Sequence, residues 1–253
     1  MTFQLDQWIR PIYELKDQSD GLHPIAFRGT GFIFPGGLMV TCRHCVDPLP
    51  SEPNFLAGVI EIGPGQYVAE KMHDLCFEEK GIDMAAAKVA TSDSGLILGI
   101  RSPGIGQDVG TFGYAGTYGR LPAGKIFGEL SFDQQSRWLE GYVTRAFNYE
   151  LPSGEVRPSW EIDMPTPGGL SGSPLIQLRG PVPAGRGVVI GMCYGRYLAL
   201  GEPDMSGIPM PGYVFGLAHY YQSLADARFN ILEQQTLGEF LTERDAVLDM
   251  TNY

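Results

Sequence analysis

The chain of 253 residues has only four cysteines and no long hydrophobic run. A membrane-spanning helix needs about 18 or more consecutive apolar residues, so the sequence predicts no membrane span. The first residues lack the basic cluster and apolar stretch of a secretory signal peptide. Four cysteines are too few for the dense framework of a small secreted protein. We therefore expect a cytoplasmic protein with reduced cysteines and no membrane partner.

Basic residues are scarce as well. Lys and Arg total 18 against 29 Asp and Glu, which gives a formal net charge of −11. A chain of this charge repels the phosphates of nucleic acids and of anionic membranes. The composition therefore excludes nucleic acid as the main partner.

Turn-forming residues are abundant, with 34 glycines and 19 prolines. They separate short apolar segments, and helical periodicity begins only after Leu217, which together predict an all-β fold of the barrel or sandwich type. A polar loop is expected from Lys16 to Leu22, and a crossing between two halves from Thr91 to Gly106. We predict strands near 8–15, 25–34, 38–42, 57–63, 66–71, 108–114, 124–132, 138–147, 157–163, 174–178, 187–194 and 212–218.

Three stretches carry residues suited to catalysis. Ser171 lies in a glycine-rich segment at 168–175, where glycines permit the backbone angles of a turn that exposes a hydroxyl and aims N–H groups at one point. His44 follows an apolar strand, and Asp83 opens another apolar stretch. The chain order is His, Asp, Ser, with gaps too long for a local contact. These spacings indicate a site assembled between two packed units.

In this order the motifs resemble those of the trypsin-like (chymotrypsin-fold) serine peptidases. The resemblance covers roughly residues 5–225 and implies two antiparallel six-stranded β-barrels followed by a C-terminal helix; a second C-terminal helix would go beyond the usual family ending. It rests on Gly29-Thr30-Gly31-Phe32, Thr41-Cys42-Arg43-His44-Cys45, Asp83-Met84-Ala85 and Gly169-Leu170-Ser171-Gly172-Ser173-Pro174-Leu175.

The resemblance implies a serine endopeptidase that acts on a protein or peptide substrate through an acyl-enzyme. Ser171 would be the nucleophile, and His44 its base, because imidazole titrates near neutrality. Asp83 would accept a hydrogen bond from the other ring nitrogen and so fix the tautomer. The N–H groups of Gly169 and Ser171 would form the oxyanion hole. No cofactor or metal is expected.

We expect three parts of the chain. Residues 1–100 form a barrel lobe carrying His44 and Asp83, residues 101–217 form a second lobe carrying Ser171, and residues 218–253 form a helical tail. A first tail helix is predicted at about 218–234. Residues 236–253 then form a second, amphipathic helix, which packs on the barrels or docks a regulatory partner. Its start carries the capping pair Thr236 and Glu239, and its apolar side carries Leu237, Phe240, Leu241 and Leu248.

The sequence departs from the secreted family members at several positions. Leu170 stands where many of them keep the aspartate that pairs with a new N-terminus after zymogen cleavage. Cys42 is too close to Cys45 for the disulfide that commonly follows the histidine. The floor of the specificity pocket would be Pro165, next to Thr166, so no carboxylate favours a lysine or arginine at the cleaved position. The pocket wall would be Tyr194-Gly195-Arg196.

Alternatives remain for three of these assignments. Asp74 is a rival for the acid beside His44, although no apolar run follows it. The Cys42-x-x-Cys45 pair is typical of a zinc or redox site, with further ligands available only from His73, Cys76 or Cys193. An esterase of the α/β-hydrolase fold is disfavoured because its triad runs Ser, Asp, His. The fold could also serve as a catalytically silent binding or scaffolding module.

Overall fold

The computed structural model describes residues 5–19, 21–63, 66–89, 94–100, 104–114, 136–150, 154, 156–179, 187–199 and 213–249. The N-terminal sheet has seven antiparallel strands in the spatial order β5-β4-β1-β2-β3-β7-β6. These are β1 (Ile9–Gln18), β2 (Gly21–Phe34), β3 (Leu38–Thr41), β4 (Asn54–Gly63), β5 (Gln66–Lys71), β6 (His73–Phe77) and β7 (Ala85–Lys88). β1, the second half of β2 and β3 are buried in continuous runs, and Ile12, Phe32 and Met39 are fully inaccessible.

The C-terminal sheet closes on itself. The spatial order β12-β9-β10-β11-β14-β13 is completed by pairing of β12 with β13, which makes a six-stranded barrel. Its strands are β9 (Asp108–Gly113), β10 (Arg137–Glu150), β11 (Val156–Ile162), β12 (Pro174–Gln177), β13 (Val188–Ala199) and β14 (Tyr213–Tyr220). Two further strands, β8 (Ile97–Ile100) and β15 (Val247–Asp249), extend this sheet in parallel beyond β13.

The all-β class with two barrel-like units is confirmed, with one refinement. The second unit is a closed six-stranded barrel, whereas the first is a half-barrel with β5 and β6 at its edges. These edge strands are consecutive in the chain and join through Met72, whose N–H donates to the Leu56 carbonyl at 2.9 Å.

Several predicted element boundaries were wrong. The expected loop from Lys16 to Leu22 is the end of a long hairpin, because cross-strand pairing continues to Gln18 and Gly21. The expected crossing from Thr91 to Gly106 contains β8, while β10 matches the strand predicted near 138–147 and is one residue longer at its start and three longer at its end. The predicted strand at 124–132 lies outside the described residues.

The predicted tail helices were too long. The first is only α1 (Tyr221–Ala225), followed by a 3-10 turn at Asn230–Leu232, and the second is α2 (Leu237–Thr242). The predicted capping box of Thr236 and Glu239 is present. Leu248 lies in β15 rather than on the helix, since that segment pairs with β8. No helix among the described residues has the length and apolarity that a bilayer crossing requires.

Candidate active site

Pairing of β3 with β7 brings His44 and Asp83 together. Thr41 pairs with Ala85, so the 3-10 turn Arg43–Cys45 after β3 lies beside the residues that precede β7. The backbone N–H of His44 donates to Asp83 Oδ1 at 3.0 Å, and His44 Nδ1 lies 2.7 Å from Asp83 Oδ2. The two bonds fix both the turn and the ring, which leaves Nε2 as the nitrogen for proton transfer.

Burial and charge act in opposite directions on this pair. Burial lowers the pKa of His44, but the hydrogen bond to Asp83 and the neighbouring Cys45 raise it, and the net pKa is above the ordinary value. Burial raises the pKa of Asp83, yet the side-chain bond, the charge and the backbone N–H of His44 together lower it further, and the net pKa is below the ordinary value. Asp83 is therefore ionised at neutral pH and stabilises an imidazolium at His44.

Ser171 lies in a tight turn built on glycines. Gly169 and Gly172 have φ of 97° and 84°, which residues with a side chain rarely adopt. A Cβ at Gly172 would also collide with the Thr30 carbonyl oxygen. The Gly172 N–H donates to the Cys193 carbonyl at 2.8 Å, which ties the turn to β13.

The Ser171 turn also contacts the N-terminal half-barrel. The Thr30 N–H donates to the Ser171 carbonyl at 2.9 Å. Cys45, adjacent to His44, places its Sγ 3.5 Å from the same oxygen. In the described part of the chain no hydrogen bond joins Ser171 Oγ to His44 Nε2. Catalytic hydrogen bonds are often long in substrate-free enzymes and tighten in the complex.

The two expected oxyanion donors are unused. Neither the Gly169 N–H nor the Ser171 N–H donates to another described residue. The Gly169 carbonyl instead accepts from Thr30 Oγ1 at 2.8 Å, which fixes the orientation of that peptide. The turn of Ser171 therefore holds two N–H groups that donate to no described residue.

The expected pocket residues differ in exposure. Pro165 and Arg196 are exposed, whereas Thr166 and Tyr194 are buried. Thr166 Oγ1 donates to the Gly195 carbonyl at 2.8 Å, so the predicted floor and wall are bonded to each other.

Two residues of this region had no signal in the sequence. Arg157 of β11 places its Nη1 atom 3.4 Å from Asp83 Oδ2. His219 of β14 is fully buried, and its ring stacks on Tyr194 with centroids 4.3 Å apart. Burial lowers the pKa of His219 to about 4. No local pattern marks either residue, because only the contact between the two β units brings β11 and β14 beside Asp83.

Two alternatives from the sequence concern this site: Asp74 as the acid beside His44, and a metal site built on the cysteines. Asp74 is exposed on β6, and the carboxylate bonded to His44 is that of Asp83. Within the described residues, the one group of three metal-ligand side chains is Cys42, His44 and Asp83, with ligand atoms within 4.8 Å of one another. It is not the predicted cysteine set, and His44 and Asp83 are already bonded to each other. All four cysteines are free thiols.

Comparisons with known proteins give structural matches only. No family model and no curated protein sequence matches the chain. The active form of the Rv3671c protease from M. tuberculosis aligns with 97% of this chain and 84% of its own, at 15% identity and a TM-score of 0.55. An inactive serine-to-alanine mutant of that protease aligns with 85% of this chain and 82% of its own, at 16% identity and a TM-score of 0.55.

A third match is the HtrA-type protease AlgW with a decapeptide. It covers 90% of this chain and 65% of its own, at 14% identity and a TM-score of 0.56. This chain has the chymotrypsin fold. His44 and Asp83 come from one β unit and the Ser171 turn from the other, and the Thr30 N–H to Ser171 carbonyl bond joins the two.

Proposed function

We propose that this chain is a serine endopeptidase that uses Ser171, His44 and Asp83. The observation that carries the proposal is the pair of hydrogen bonds between Asp83 and His44. One joins Asp83 to the His44 ring at 2.7 Å, the other joins it to the His44 backbone N–H at 3.0 Å, and both lie beside the turn of Ser171. Such a pair orients an imidazole as a general base, and a glycine-rich turn with free N–H groups supplies the electrostatic partner of an oxyanion.

In the proposed reaction, Ser171 Oγ attacks the carbonyl carbon of a peptide bond while His44 Nε2 takes its proton. The tetrahedral oxyanion accepts hydrogen bonds from the N–H groups of Gly169 and Ser171. His44 then gives the proton to the leaving amine, and an acyl-enzyme forms on Ser171. Water, deprotonated by His44, hydrolyses the ester and restores the serine.

The residues at the expected pocket support an enzyme that does not prefer lysine or arginine at the cleaved position. Pro165 offers no carboxylate to a lysine or arginine side chain. Thr166 donates to the Gly195 carbonyl, so neither of these groups is open to a basic side chain. We propose proteins or peptides as the partners in this reaction.

The absence of the aspartate used in zymogen activation supports a site that needs no cleavage. Leu170 takes that position and is buried, with 1% of its surface exposed, so it cannot pair with a charged terminus. We propose that the turn is held instead by its bonds to Thr30 and Cys193, with a protein partner as a further means of control.

A second candidate is a binding module with the same fold, favoured by the missing hydrogen bond between Ser171 Oγ and His44 Nε2. A fluorophosphonate probe separates the two candidates, because it reacts with an activated serine and spares an ordinary one. The enzyme predicts labelling at Ser171 that disappears in Ser171→Ala. Ser173→Ala is the matched control, since Ser173 is fully buried two residues away. Unlabelled wild-type protein would favour the binding module.

A further inference from the structure

Asp83 has a second cationic neighbour besides His44. Arg157 Nη1 lies 3.4 Å from Asp83 Oδ2, the oxygen that also bonds to His44 Nδ1. Both side chains of this ion pair are largely buried, with 14% of Arg157 and 10% of Asp83 exposed. The Arg157 guanidinium also lies over the Tyr194 ring, 5.9 Å from its centroid.

This arrangement places Arg157 close to the candidate acid. A guanidinium with so little exposed surface is not a binding group for a peptide side chain. Tyr194, against which it packs, is itself fixed by a hydrogen bond of 2.5 Å between its hydroxyl and Ser159 Oγ. Arg157 is therefore held in position on a rigid part of the barrel.

We propose that Arg157 is a positioning residue that acts through Asp83 and keeps His44 neutral enough to serve as a base. The proposal rests on the proposed endopeptidase function and adds a residue to its machinery.

The physical reason is the charge of the resting site. A general base must be neutral before it takes a proton, and with neutral His44 the Asp83 carboxylate would lack a cation. A buried and uncompensated carboxylate favours protonation of the neighbouring imidazole. Arg157 compensates Asp83 in both protonation states of His44, because a guanidinium stays charged at all relevant pH. Its charge also repels the imidazolium, which opposes the rise in the pKa of His44.

Other ionisable groups face the same space from every packed element. Cys42 and Cys45 flank His44 on its turn, and both are buried. His219 faces Asp83 and Arg157 from β14, but burial keeps it neutral. Tyr194 and Tyr149 contribute phenols from β13 and β10. Arg157 is thus the permanent cation that pairs with Asp83, whereas Arg43, next to His44, pairs with Asp47 at 3.1 Å.

The test is an NMR titration of the His44 ring in the full chain, with its signal assigned through His44→Gln. Arg157→Met should raise the pKa of His44 by about 0.5–1, whereas Arg157→Lys, which keeps a charge, should cause less than half of that rise. Arg145→Met is the matched control. It removes the 2.7 Å pair with Glu161 on the same barrel without touching Asp83. Arg157→Gln serves if the methionine variant does not fold.

Kinetics provide a second measurement. Below the pKa of His44, Arg157→Met should lower kcat by about three- to tenfold with little change in KM, because the change acts on the base and not on binding. An unchanged pKa of His44 in the charge-removing variants would overturn the proposal, as would an equal rise in Arg145→Met. Failure of fluorophosphonate labelling would refute the endopeptidase function alone, since the titration needs no catalysis.

Discussion

Thr30 Oγ1 donates to the Gly169 carbonyl at 2.8 Å and accepts from the Tyr114 N–H at 3.2 Å. A fully buried hydroxyl of the N-terminal half-barrel thus fixes a peptide of the candidate oxyanion turn. The site is therefore held by bonds between the two β units as well as by each unit alone.

Thr30→Val should destabilise the protein by about 2–3 kcal/mol, because it leaves a buried acceptor and a buried donor unpaired. The midpoint of thermal unfolding should fall by about 5–10 °C. Thr242→Val is the control, since the exposed Thr242 bonds to the Gly238 carbonyl within α2. Equal losses in the two variants would contradict a special role for Thr30.

The rate of peptide cleavage should rise with pH through a pKa above 6.5. The base must be neutral, and the bond to Asp83 raises the pKa of His44 against the lowering effect of burial. The measurement is kcat/KM from pH 5 to 10, with His23→Asn as a control that leaves the profile unchanged. An acidic limb at or below pH 6.5 would show that the Asp83 bond does not raise the pKa.

His219 should make the fold sensitive to acid. Burial lowers its pKa to about 4, below the unfolded value of 6.5, so its contribution is present above pH 6.5 and is lost as pH falls towards 4. The loss is on the order of 3 kcal/mol. His44 has a raised pKa, so its own contribution is present throughout this range and does not mask the effect.

The comparison is urea unfolding of the wild type and His219→Phe at pH 7 and pH 4.5. Phenylalanine keeps a ring to stack on Tyr194 but has no proton to gain. The variant should show a smaller stability difference between the two pH values. Identical differences would mean that His219 does not titrate on unfolding in this range.

The tail should be part of the folded core. Leu237 and Leu241 of α2 are fully buried, and Phe240 is nearly so. Leu241→Ala should cost about 2–5 kcal/mol and lower the unfolding midpoint. Leu248→Ala, at a half-buried strand position, should cost less. If Leu241→Ala leaves the unfolding midpoint unchanged, α2 does not contribute to the core, and a docking role for the tail becomes the better account.

A peptide-library digest should show no preference for lysine or arginine before the scissile bond. Pro165 cannot pair with a cation, and Thr166 bonds to the expected pocket wall. A clear basic preference would mean that the pocket is formed by other residues.

The sequence could predict the features that local pattern controls. The glycine-rich turn of Ser171, the apolar strands next to His44 and Asp83, and the Thr236 capping box all have local signatures. The predicted helix lengths after Tyr220 were wrong. Turns interrupt the weak periodicity there, and Leu248 lies in a strand that pairs with β8 rather than in a helix. Tertiary pairing, which single-sequence patterns do not report, decided that segment.

Arg157 and His219 are residues near the candidate site that the sequence could not predict. Arg157 lies between two exposed residues of β11, where a cation ordinarily faces solvent, and only the contact between the two β units places it beside Asp83. The cytoplasmic location and the regulatory partner stay predictions, since neither is a property of the described residues.

The central claim is that Ser171 cleaves peptide bonds. The most direct measurement is hydrolysis of a proteome-derived peptide mixture at pH 9 by the wild type, Ser171→Ala and Ser173→Ala, followed by mass spectrometry. The account predicts cleavage by the wild type and Ser173→Ala, and a fall of about a thousandfold or more in Ser171→Ala. Near wild-type cleavage by Ser171→Ala, or no cleavage by the folded wild type, would contradict it.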